Sequence, residues 1–360
     1  MLSNPQRHGV SRPQRPGFIP FESLLYSEER WRDRQVFLES RGYLLRPRYR
    51  PGWTPSWKTN GKSVVVSEDA LPSPARQHLL DATRLSDGRL VYIKRVETGN
   101  LGSRIAISLS SEALSQDPTN HSVPILDHFD DTEEEGLSYI VMPFLRLMDR
   151  PEFNYIGEIL DLGEQLLEVP RLCCTQKNLM MDATAMYPKG HHPVNETMLP
   201  DISAAAPYYS RLSVGVKYYY VDFGISSLIP RGTPALVTGT LSRDQEGPEL
   251  SDDVPYDPYK VDIFKIGNVF RRELYRNCTT YSNVEFLRSF IESMTRRDPA
   301  ARPTAEMMLR KWRAMRQRTS ALRRHWRLAE RDEPFVWTVV TMGLGICGSI
   351  FVRLCKERVN

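Results

Sequence analysis

Three residues of chemical interest stand far apart in this sequence: Lys94 at the end of "VYIK", Asn178 in "TQKNLMMD" and Asp222 in "YYYVDFGIS". They can act as one site only if folding brings them together. Several competing chemistries fall away on spacing. The five cysteines (173, 174, 278, 347 and 355) are odd in number and lack zinc-ligand spacing, so free thiols in a reducing cytosolic or nuclear setting are expected. His191 and His192 are adjacent and so point apart, which argues against a shared metal ion. "GLGICG" (343–348) fits a dinucleotide glycine pattern, but it lies inside an apolar run and not between a strand and a helix. "NGKS" (60–63) lacks the earlier glycine of a phosphate loop, because Ser56 holds that position.

The elements that must position these residues can be read from periodicity. "GRLVYIKRVE" alternates around β-branched and aromatic residues and predicts a strand carrying Lys94. "SVPILDHFD" and "LSYIVMPFL" predict two more strands, and "SRIAISLSSEAL" has helical spacing. "NYIGEILDLGEQLLE" predicts an amphipathic helix, and the segments beyond Phe153 read as mainly helical, broken by a Pro/Gly/Ser-rich stretch at about 183–213. Residues 1–20 read as a flexible arm and residues 21–80 as irregular. With 360 residues, 41% of them hydrophobic, the chain suits one large two-lobed domain of the α+β class or two ordinary ones. A net charge of +4 on 48 basic and 44 acidic residues is too balanced to argue for nucleic acid, and no such partner is expected.

Six strings then fall in one order: "VYIK", "YIVMPFL", "TQKNLMMD", "VDFG", "GPEL" before "YDPYKVDIFKIGNVF", and "MTRRDPAARPTA". From about Trp53 to Lys311 the chain resembles a protein kinase. "YRPGWTPSW", "LVYIKRV", "MMDATAMYPKGHHPV" and "PELSDDVPYDPYKVDI" make it similar to a divergent kinase-like family abundant in mushroom-forming fungi. The resemblance implies a β-rich lobe over 21–145, a helical lobe over 146–318, and ATP with Mg²⁺ as cofactors. It implies that Asp222 and Asn178 hold Mg²⁺ and that Lys94 reaches the α- and β-phosphates. Met142 would guard the back of the adenine pocket, with Pro143, Phe144 and Leu145 as hinge. Glu249 and Arg302 would form a structural ion pair, and Asp262 would hydrogen-bond backbone of the catalytic loop from a buried helix. The expected protein partner is an unidentified substrate or binding partner.

The departures from that pattern fall on catalysis. Counting back from Asn178 through "PRLCCTQKN" (170–178) puts Cys173 where the catalytic aspartate belongs, with Arg171 and Leu172 in place of His-Arg. A thiol does not replace a carboxylate's hydrogen bonding. The loop lysine is Thr175, although Lys177 is near. Only Val169 and Pro170 separate the preceding helix from this loop, where a dozen further residues are expected; a misjoined coding sequence and genuine decay account for this equally. No glycine-rich loop precedes "LVYIK", no glutamate stands ready for Lys94 in "GSRIAIS", and the stretch between "LYRN" and "NVEFLRSF" is short for a peptide-docking helix. Two functions stay open: a Ser/Thr-type protein kinase whose loop is damaged in this reading, and a pseudokinase that binds nucleotide or a partner. Thr238, Thr240 and Ser242 fall in the expected activation segment and are candidate phosphorylation sites.

The end of the chain changes character. "RKWRAMRQRTSALRRHWRLAER" is strongly basic, with nine Lys/Arg from Arg310 to Arg331 and a linker helix expected over 319–334. Residues 335–352, "FVWTVVTMGLGICGSIFV", hold no charge. As a helix at about 1.5 Å per residue they would reach across a thin bilayer. The expectation is an anchor there, followed by a tail at 353–360, with the kinase-like part in the cytosol because the upstream side carries more positive charge. A helix covering an apolar face of the larger lobe is the alternative.

Overall fold

A computed structural model describes residues 21–72, 77–168, 178–227, 229, 232–241, 244–276, 281 and 283–328. Cys173 and the rest of 169–177, Ser242, and the tail from 329 on lie outside the described residues. The protein is a mixed α/β chain whose contacts divide it into two compact units. The first comprises the residues up to Leu90 together with His191–Ala206, and the second Val91–Gly190 together with the residues from Pro207 on.

The first unit contains α1 (Tyr26–Arg32), α2 (Gln35–Ser40), β1 (Tyr43–Leu44), α3 (Trp57–Asn60) and β2 (Leu79–Arg84), with three short 3-10 turns between β1 and β2. The irregular reading of 21–80 therefore needs correction. The helices of 7, 6 and 4 residues are shorter than the window over which an apolar period registers. They depend on tertiary packing for stability, and Trp31 and Leu38 are buried, as are Leu45, Tyr49 and Leu80 of the same unit. Strand β1 pairs antiparallel with β2, Tyr43 opposite Arg84.

An ionic network runs through this unit. Arg48, fully buried, grips Glu28 with two parallel bonds of 3.0 Å and donates also to the carbonyls of Phe21, Ser23 and Asp69. Arg46 bonds Asp81 at 2.8 Å and reaches Glu68 at 3.4 Å. Asp69 accepts from the Trp53 indole (2.9 Å) and from the Ser56 amide and hydroxyl (2.8 and 2.6 Å), which is how "WTPSW" is folded back. His192 brings the returning segment in: its Nδ1 accepts from the amides of Val194 and Asn195, so Nε2 carries the proton and donates to Glu68 at 3.3 Å. Both adjacent histidines are buried, and no cluster of potential metal ligands occurs among the described residues.

In the second unit β3 (Leu90–Glu97) is followed by α4 (Leu101–Leu109), α5 (Glu112–Ser115), β4 (Asp127–Asp130), β5 (Leu137–Pro143), β6 (Arg146–Leu147) and α6 (Ile156–Glu168). Then come β7 (Leu179–Asp182), α7 (Arg211–Val214), β8 (Lys217–Tyr220), α8 (Pro258–Val269), α9 (Arg288–Met294), α10 (Ala305–Arg318) and α11 (Ala321–Arg324), with a π-helical turn at Phe270–Arg276. Strand β5 lies between β3 and β4, antiparallel to both, and β7 lies between β6 and β8. The strands expected around Lys94, His128 and Tyr139 form, as does the amphipathic helix. "SRIAISLSSEAL" divides into α4 and α5, because the Ser110 hydroxyl bonds back to the Ala106 carbonyl and the chain restarts at Ser111.

Helix α6 is the buried axis of the helical part. Trp312 of α10 has no solvent exposure and donates its indole proton to the Leu160 carbonyl at 2.9 Å. It stacks on Phe270 at 5.1 Å and meets Phe290 edge-on at 5.0 Å. Gly163 faces this ring, and a Cβ there would sit 2.0 Å from it.

Candidate functional site

Lys94 and Asp222, 128 positions apart in sequence, meet at 3.1 Å from Nζ to Oδ1. The register of β3 on β5 sets Lys94 opposite Ile140 and Tyr92 opposite Met142, so these four side chains share one face of the sheet. Asp222 stands two positions past the end of β8. The Val221 amide donates to the Asn178 carbonyl at 2.8 Å, which extends the β7–β8 ladder by one pair and sets Asn178 beside the turn bearing Asp222. Asp222 itself has φ of 70°, a left-handed conformation uncommon outside glycine and more accessible to aspartate than to most residues. Such a conformation persists where the surroundings over-determine it.

Those surroundings are visible. Asn100 caps α4 by accepting from the Ser103 amide at 2.9 Å, and its own amide group donates to the Glu97 carbonyl at 2.7 Å. The helix start is thereby tied to the end of β3. One turn in, Gly102 presses on the backbone of the aspartate turn; a Cβ at 102 would lie 3.0 Å from the Gly224 Cα and 3.1 Å from the Phe223 carbonyl carbon. Beside the ion pair a cavity of about 50 Å³ is lined by Lys94, Gly102, Ile140, Met142, Asp222 and Phe223 among others. That holds a water molecule or two and is well short of the roughly 300 Å³ of a small-molecule pocket. The pair itself is open to solvent: the Asp222 side chain is 54% exposed and that of Lys94 22%.

The remaining expected residues take defined places. Met142 lines that cavity and is buried, as are Phe144 and Leu145. Phe144 stacks on Tyr92 with ring centres 4.4 Å apart. Glu249 and Arg302 form an ion pair, Nη2 to Oε2 at 2.8 Å with a second bond from Nη1 to Oε1, and Arg302 also lies over the Phe264 ring at 4.6 Å. Asp262 is buried on α8. Cys173 belongs to the segment outside the described residues. Sequence reading missed Asn100, Gly102 and Tyr92. Alternation along β3 was the available signal for Tyr92, while nothing local marks the approach of Gly102 to Gly224.

An ammonium beside a carboxylate on an open face, with the backbone of Asn178 adjacent, is chemistry that an oxyanion accompanied by a hard divalent cation could use. Mg²⁺ is bound by one or two carboxylates plus substrate phosphates and water, not by an all-protein cage.

No protein-family model matches the chain, and no curated protein matches it. Among solved structures the chain is similar to the twitchin kinase region from C. elegans (Fn31-NL-kin-CRD-Ig26), at 15% identity and a TM-score of 0.39. The match covers 65% of this chain and 43% of that one.

Proposed function

We propose that this chain is a kinase-like protein that binds Mg-ATP through Lys94, Asn178 and Asp222 and uses the bound nucleotide to support a partner-binding surface. The observation that carries the reading is the 3.1 Å Lys94–Asp222 pair, closed across 128 positions by two separate sheets. In this reading Lys94 exchanges part of its bond to Asp222 for the α- and β-phosphates, and Asp222 with the Asn178 side-chain oxygen holds Mg²⁺. Bound Mg²⁺ would neutralise charge on the terminal phosphates. Phe144 and Leu145, with buried side chains, would meet the base through backbone groups, and Met142 would close the rear.

Phosphoryl transfer needs a group to orient the attacking hydroxyl and accept its proton. With Cys173 in that position the sequence supplies none, so nucleotide binding without transfer is the reading favoured. A transcript that restores a His-Arg-Asp loop across codons 160–180 would make a Ser/Thr-type protein kinase the better reading.

The test is thermal unfolding with ATP, with and without Mg²⁺. Ligand at about 100 times its dissociation constant stabilises by about 2.7 kcal/mol. The wild type is expected to show a Mg²⁺-dependent rise in melting temperature, Asp222→Ala to abolish it, and Lys94→Ala to reduce it. No rise in the wild type, or an unchanged rise in both variants, refutes the assignment.

A further inference from the structure

Helix α10 has two unlike faces. Met308 and Trp312 point into the core, and Arg313 and Arg316 are tied to Asp161, Glu164 and Glu168 of α6. Met307, Lys311, Ala314 and Arg318, at spacings of four, three and four, form the opposite stripe with Arg310 beside it. Met307, Arg310, Lys311 and Arg318 are exposed. Helix α11 and the residues just past it continue the theme, with Leu322 of the helix 74% exposed, Arg323 in solvent, and Trp326, two positions beyond its end, 43% exposed. Its own anchor is Arg324, bonded to Asp161 of α6 at 3.3 Å. Both helices thus rest on α6, and the charged and large apolar side chains of this stripe, with Trp326 just beyond it, are exposed. Arg310, Lys311, Arg318 and Arg323 make no ion pair among the described residues, unlike Arg313, Arg316 and Arg324 in the same stretch.

We propose that this outer face docks on an anionic lipid bilayer. The four cations meet headgroup phosphates, and Leu322 and Trp326 enter the boundary between headgroups and acyl chains. Three observations favour a bilayer over nucleic acid. An exposed leucine has no partner on a phosphodiester backbone but gains by entering a membrane interface. Tryptophan suits that interface, being apolar with one polar edge. The sequence also runs from Leu328 into the charge-free 335–352 within seven residues, so an anchor there would bring this face to the surface. The proposal is independent of the nucleotide site.

Vesicles of phosphatidylcholine, alone or with 30% phosphatidylserine, test it on the 360-residue chain. Each cation is worth about fivefold at an anionic surface at moderate salt. Cosedimentation is expected to favour the anionic vesicles at least about tenfold, less so at high salt. The variant R310Q/K311Q/R318Q/R323Q is expected to lose that preference while keeping its melting temperature. Acetylation of Lys311 in vesicle-bound protein, referenced to the exposed Lys58, reads contact even if the tail inserts by itself. Slower acetylation on anionic vesicles supports docking. Equal acetylation on both vesicle types overturns the proposal, and so does tighter binding to a single-stranded oligonucleotide than to anionic vesicles.

Discussion

At the scale of single residues, the buried charges of the first unit show how environment sets protonation. Burial alone would push the Glu28 carboxyl up, yet bonds from Arg48, the Leu25 amide and Tyr49, with the charge of Arg48, hold it below its ordinary 4.5. Asp69 is likewise held down: its burial is outweighed by the Ser56 hydroxyl and amide and the Trp53 indole. A carboxyl whose folded value lies below its unfolded one contributes stability above the unfolded value and loses it as pH falls through the folded one. The melting temperature is therefore expected to drop below about pH 4.5, and Glu28→Gln is expected to flatten that limb. The same substitution leaves Arg48 without its counter-ion, at a cost of about 3–5 kcal/mol at neutral pH. Chemical denaturation of the two proteins across pH checks both points; a cost below about 1 kcal/mol would show that Glu28 does not hold the arginine.

At the scale of elements, the contact of α6 with α10 depends on a missing side chain. Alanine at 163 gains about 1 kcal/mol of helix propensity over glycine. It would also place a Cβ 2.0 Å from the Trp312 ring, too close for relief by small shifts, since that ring is held between Phe270, Phe290 and the Leu160 carbonyl. Overpacking typically costs about 1–3 kcal/mol, and loss of the indole bond adds about 1. Gly163→Ala is thus expected to destabilise, by about 1–3 kcal/mol net in urea, with altered tryptophan fluorescence. A stabilised variant would mean the helices can separate freely. The glycine is legible as a helix interruption in "LDLGEQL"; that it admits Trp312, 149 positions on, is not.

At the scale of the whole molecule, the first unit is assembled from two stretches of chain, and His192 secures the second. Its ring accepts two backbone amides and donates to Glu68 while fully buried. His192→Ala is expected to free the Val194 and Asn195 amides, raising their hydrogen exchange at least about tenfold, with smaller change at β2; unchanged exchange would assign the histidine no such part. What the sequence by itself determined is local: the strand with Lys94, the two later strands β4 and β5, the amphipathic α6, and the short strings holding Asn178 and Asp222. Each depends on alternation, helical period or turn chemistry within a dozen residues. The tertiary structure alone decided that Lys94 meets Asp222, that Tyr92 stacks on Phe144, and that the segment from His191 returns to Glu68. It also showed that 21–80 holds short helices around a buried ionic core. Such contacts are long-range, and their stabilisation comes from packing and charge pairing between distant segments, which no local period encodes.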